Sequence, residues 1–141
     1  ELIESEWQRF VVMGLGIRCV STNDWVTGAE TCELVLALDA LGDRERAITL
    51  LRDMQHLRTA EGTYWTGYVF TSLDEPGVNW PGEQTTYTAA AVILAVDALY
   101  EMTPGANIMR GTTLAPDFAE MGLECGCPSA DRVAGVPGRT P

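Results

Sequence analysis

Apolar residues recur at helical spacing in four places along the chain, and capping residues, glycine or proline bound each run. Trp7, Phe10, Val11 and Leu15 share one face with Arg18, and Ser5 with Gln8 has the form of a capping box. This pattern predicts a first helix over about 6–18, weakened by Gly14 and Gly16. Residues 20–26 read as a turn. A second helix is expected over about 28–41, with Thr27 as N-cap, Glu30 at the matching box position and Leu34, Leu38 and Leu41 as its stripe. Gly42 ends it, and Asp43 caps a third helix over about 44–58 that faces inward through Ala47, Leu50, Leu51, Met54 and Leu57. The short link predicts an antiparallel pair. A long loop over 59–84 holds an extended piece at 64–71 and turns at Pro76-Gly77 and Pro81-Gly82. The fourth helix, about 86–102, starts from Thr85 or Thr86. Its run over 89–96 is apolar on every side, as in a helix buried all round.

An internal repeat organises these elements. Residues 27–41, TGAETCELVLALDAL, align without gaps on 85–99, TTYTAAAVILAVDAL, at an offset of 58. Thr27, Leu36, Ala37 and Asp39-Ala-Leu41 each have an identical partner in Thr85, Leu94, Ala95 and Asp97-Ala-Leu99. A period of this length with helices at both ends points to a repeated helical hairpin, a unit that cannot bury its faces alone. The expected architecture is all-α, a partial α/α toroid of hairpins over 1–111, completed by upstream sequence or by copies of the chain. A Gly/Pro-rich tail over 112–141 is expected to be loosely packed or disordered.

The stretch LLRDMQHLRTAEGTYWTG resembles the repeat of the terpene cyclase and protein prenyltransferase superfamily, where a Gln near the end of an outer helix precedes a Gly and an aromatic residue. Here these are Gln55, Gly62, Tyr64 and Trp65, with the Gln-to-Gly distance one residue longer than the usual pattern. With WVTGAET, EGTYWTG and TTYTAAAVILAVDAL, residues 7–111 resemble the C-terminal part of bacterial prenyltransferase/squalene-oxidase-repeat proteins. The resemblance implies an α/α toroid and a prenyl-type transferase or terpenoid cyclase. The Asp-rich acid motif of the cyclases is missing. Other α/α toroids act on sugars with paired carboxylates, so a carbohydrate-active enzyme is the alternative, and a non-catalytic interaction module is a third.

Composition narrows the partners. With 20 acidic and 9 basic residues the formal charge is -11, which argues against binding a nucleic-acid backbone. The apolar run at 89–96 is too short to span a bilayer. Cys19, Cys32, Cys125 and Cys127 form no disulfide or zinc pattern, and His56 is the single histidine; no metal or cofactor is expected, and reduced, cytoplasmic conditions fit.

The candidate chemistry lies at the inner-helix starts, which in such a ring open onto one rim. Glu30 begins the second helix and Glu83 precedes the fourth, so the two carboxylates are the candidate catalytic pair for a small-molecule substrate. Against this stand a capping role for Glu30 and a helix-dipole role for Glu83. Trp25, Tyr64, Trp65, Trp80 and Tyr87 are the candidate substrate-binding residues, able to stack on a sugar or a prenyl chain; the competing reading is that they plug the end of a core. Glu33 is one step off the rim, and Asp39 and Asp97 read as structural acids that accept hydrogen bonds from a neighbouring loop.

Overall fold

A computed structural model of the chain describes residues 2–72, 75–80 and 82–111; the expectation for 112–141 lies outside them. Among the described residues, four α-helices, α1 (Leu2–Phe10), α2 (Gly28–Ala40), α3 (Arg44–Asp53) and α4 (Thr86–Tyr100), are joined by five short strands and two 3₁₀ segments at Met54–Leu57 and Pro104–Arg110. The strands β1 (Val11–Val12), β2 (Gly16–Arg18), β3 (Trp25–Thr27), β4 (Gly67–Val69) and β5 (Val78–Asn79) pair in chain order as one antiparallel sheet.

This sheet corrects the all-α expectation. The first helix stops at Phe10, because the chain then reverses through Gly14 at φ 78° and Gly16 at φ 128°. No L side chain is comfortable at such angles, and a Cβ on Gly16 would also sit 2.6 Å from Thr31 Oγ1. Val11, which looked like a helix-spaced position, instead faces Ile17 across a hairpin. The stretch read as a turn ends in β3, and the long loop returns as β4 and β5. The chain is therefore helices packed beside a small meander, and not the clean helical toroid the pattern suggested.

The helices otherwise fall close to the expected bounds. α2 ends at a left-handed Gly42, φ 82°, whose amide donates to Asp39 O while that of Asp43 donates to Leu38 O. Asp43 caps α3 by accepting from Arg46 N. Thr85 caps α4 by accepting from Thr88 N. Ser5 lies inside α1 rather than at its cap, and its hydroxyl donates to Leu2 O. The main core gathers Val35 and Leu38 of α2, Leu50 of α3, and Ala95 and Leu99 of α4, each at most 2 % exposed. A second, smaller core of Val12, Val26 and Phe70 sits on the sheet.

The repeated acids behave as structural groups. Asp39 is buried and takes a two-pronged hydrogen bond from Arg110, at 2.8 and 3.0 Å. Asp97 accepts from the amide and hydroxyl of Thr103. Among the described residues no single helix is long and apolar enough to cross a membrane.

Candidate functional site

The starts of α2 and α4 meet. Gly28 opens α2 with no side chain, and a Cβ there would lie 2.9 Å from Thr88 Cγ2 and 3.3 Å from Leu57 Cδ1. Glycine is what lets the first turns of the two helices approach so closely. Gly28 N donates to Thr66 O and Thr88 N to Thr85 Oγ1, and the dipole of each helix start favours negative charge nearby.

Glu30 stands in this junction, half-buried in the first turn of α2. Thr27 occupies the N-cap position, yet its hydroxyl makes no cap hydrogen bond, so the expected capping box is not built. A different bond replaces it: Thr31 Oγ1 donates to Thr27 O at 2.6 Å and accepts from Ile17 N at 3.0 Å, tying the helix to the sheet. The Glu30 carboxylate instead accepts a hydrogen bond from Cys19 Sγ at 3.5 Å. Burial, and then the charge and hydrogen bond of Glu30, push the Cys19 thiol above its ordinary range.

Tyr87, from the first turn of α4, donates its hydroxyl to Glu33 Oε1, one turn beyond Glu30 on α2. Glu30 and Glu33 are three apart and so neighbours on the helix surface. The hydrogen bond to Glu33, followed by loss of solvent and the negative charges of Glu33 and Glu30, pushes the Tyr87 phenol up to about 12. Cys19, Glu30, Glu33 and Tyr87 thus form one polar cluster drawn from β2's end, α2 and α4.

Of the aromatic candidates, Trp25 and Trp80 form a pair with ring centroids 5.2 Å apart, tilted by 34°. Trp25 lies across Gly67, where a Cβ would fall 2.2 Å from its Nε1, and Trp80 N donates to Gly67 O. The Trp25 Nε1 is buried with no hydrogen-bond partner among the described residues, while Trp80 is 42 % exposed. Glu83 is held by its main chain, its carbonyl accepting from Thr66 N at 3.0 Å, in the segment that leads from Trp80 to α4.

Tyr64 and Trp65 go elsewhere. The Tyr64 hydroxyl donates to Gln55 Oε1 at 2.9 Å, and Trp65 N donates to Leu57 O. Both rings pack on the main core, and Tyr64 lines a separate cavity of about 330 Å³ with Gln84, Thr85, Ala89 and Ile93. Their hydrogen bonds go to the 3₁₀ segment at Met54–Leu57 rather than to Glu30. Among the described residues, no group of three or more His, Cys, Asp or Glu side chains is placed to hold a metal ion.

Sequence reasoning set Glu33 aside as one step off the rim and gave Cys19 no role in the site. The spacing of Glu30 and Glu33 was the available signal for the first. Nothing local could signal the second, because Cys19 reaches α2 only through the hairpin that the helical pattern concealed.

No protein-family model matches the chain. Over 130 residues, 92 % of its length, the chain is 53 % identical to an MMP endo-(1,4)-3-O-methyl-alpha-D-mannosidase of Mycolicibacterium hassiacum. The match spans about a third of that relative, 35 % of its length. This overturns the resemblance to prenyltransferase/squalene-oxidase-repeat proteins and, with it, the terpenoid, prenyl and transferase reading. The helical repeat was real sequence periodicity, but periodicity records packing, and packing is shared by folds of unrelated chemistry.

Proposed function

We propose that this chain forms one wall of a carbohydrate-processing active site that cleaves α-(1,4) linkages in 3-O-methylmannoside chains. The observation that carries the proposal is the meeting of the α2 and α4 starts, where Glu30 is free of the capping box and shares a cluster with Glu33 and Tyr87. The similarity to a mannosidase supplies the substrate class.

In this reading Glu30 is a carboxylate at the reaction centre and exchanges a proton with the glycosidic oxygen or the attacking water. Glu83, from the segment entering α4, is the second candidate carboxylate. Glycoside cleavage uses two such groups on opposite sides of the scissile bond. Glu33 and Tyr87 are positioning residues that hold the two helix starts in register. Trp25 and Trp80 offer an aromatic surface to a sugar ring, and a 3-O-methyl group suits such an apolar surface better than a hydroxyl does.

The test exchanges the matching segment of the Mycolicibacterium hassiacum enzyme for this chain. The chimera should release shorter oligosaccharides from α-(1,4)-linked 3-O-methylmannosides and leave unmethylated α-(1,4)-glucans intact. A folded chimera inactive on the methylmannosides would overturn the proposal.

A further inference from the structure

In the 58-residue repeat register, α2 and α4 bury faces that do not overlap. The buried residues of α4 include Thr88, Ala91, Val92 and Leu99; their counterparts on α2 are Glu30, Glu33, Leu34 and Leu41, none of them buried. Conversely, Thr31, Cys32 and Val35 are fully buried on α2, while their counterparts Ala89, Ala90 and Ile93 are exposed on α4. A stack of like units has this property. Each inner helix covers its neighbour with one face and is itself covered on the other.

On α2 the second face lies under its neighbours, α3 and α4. Among the described residues the equivalent face of α4 is left uncovered, with Ile93 67 % exposed beside Ala89 and Ala90, and Leu94 44 % exposed at its edge. None of these four carries a charge, and the nearest acid along the helix, Asp97, is satisfied by Thr103. Two alanines beside two larger aliphatic side chains give the relief into which another helix packs. An exposed apolar stripe of this kind marks a contact surface.

We infer that this face of α4 is a docking surface for an inner helix of a further hairpin of the same kind, carried on polypeptide outside the sequence of this chain. The chemistry is set by the register: the incoming helix presents the stripe of small and aliphatic residues by which α4 itself sits on α2. About two-thirds of the Mycolicibacterium hassiacum mannosidase lies outside the segment this chain matches, long enough to supply it.

The experiment co-expresses this chain with the unmatched part of that mannosidase as a separate polypeptide. The expected result is a one-to-one complex by light scattering. In the Ile93→Asp, Leu94→Asp double variant it should weaken at least tenfold. The Met13→Asp variant, altered at a residue 70 % exposed in the β1–β2 turn, should bind as the parent does. Far-UV circular dichroism of the double variant should match the parent, because both altered side chains already face solvent. Three results would each overturn the inference: no complex, a complex indifferent to the double substitution, or self-association of the chain through this face that excludes the second polypeptide.

Discussion

Helices α2 and α4 are near copies in sequence and opposites in circumstance. Both end in Asp-Ala-Leu and follow a threonine at the N-cap position. Thr85 caps with its side chain, whereas Thr27 does not, because β3 leads straight into α2 and Thr31 ties Thr27's carbonyl to β2. At the equivalent position in the first turn, α2 carries Glu30 and α4 carries the buried Thr88. At the far end Asp39 is locked in an ion pair with Arg110, while Asp97 anchors Thr103. A repeat fixes helix length and stripe. The neighbours decide which face is core, and which acid is held by a partner.

The sharpest break of this comparison places one substitution at both copies. Val35→Asp puts a charge at a 0 % exposed site and should cost roughly 3–5 kcal/mol, enough to unfold much of the protein. Ile93→Asp, its repeat partner, should stay within about 0.5 kcal/mol of the parent in urea unfolding. Equal losses would show that the burial asymmetry is wrong.

The repeated aspartates form a second pair. Asp39→Ala strips the carboxylate from the Arg110 pair and should lose about 2–3 kcal/mol; Asp97→Ala removes exposed hydrogen bonds from Thr103 and should lose about 1 kcal/mol. Chemical denaturation of the two variants side by side reads the difference.

A smaller effect probes the junction itself. Gly28→Ala should cost about 1–2 kcal/mol by overpacking against Thr88, and Thr88→Ser should recover part of it by removing the methyl group in the way. Independent, additive effects would mean that the helix starts do not touch there.

Smallest is a titration. Absorbance should show one tyrosine ionising near 12, and Glu33→Gln should return it toward the ordinary value near 10. Because the folded value is raised, the Tyr87–Glu33 link is intact below pH about 10 and is lost as pH rises through about 12. A parent spectrum already lacking such a group would remove that link between α2 and α4.

Much of this was legible before any fold was known. Periodicity and caps located α2, α3 and α4 to within a few residues, since their apolar stripes are long and their ends carry Gly42, Asp43 and Thr85. The sheet was not legible. Its strands are two or three residues long, below the length at which alternation differs from helical spacing, and the β3–β4 pairing joins residues 40 to 44 positions apart. Gly14 and Gly16 were noticed but read as weak helix rather than as a reversal. Glu30 and the Trp25 and Trp80 pair could be singled out because acids and aromatic residues at helix starts are visible in the chain. Cys19 and Glu33 needed the hairpin and the α2–α4 contact, which are tertiary. Resemblance of the repeat also pointed to the wrong chemistry, since the residues that carry it, Gln55, Gly62, Tyr64 and Trp65, are bound up in the α3-to-β4 turn rather than in the polar cluster.

The account turns on Glu30, and the turnover of Glu30→Gln in the chimera on 3-O-methylmannosides tests it most directly. The substitution keeps size and hydrogen-bonding reach while removing the carboxylate. The expected result is a fall in kcat of about 10²–10⁴ with KM within a few-fold of the parent, as for loss of a general acid or base. A Glu30→Gln chimera that keeps its full kcat would contradict the account.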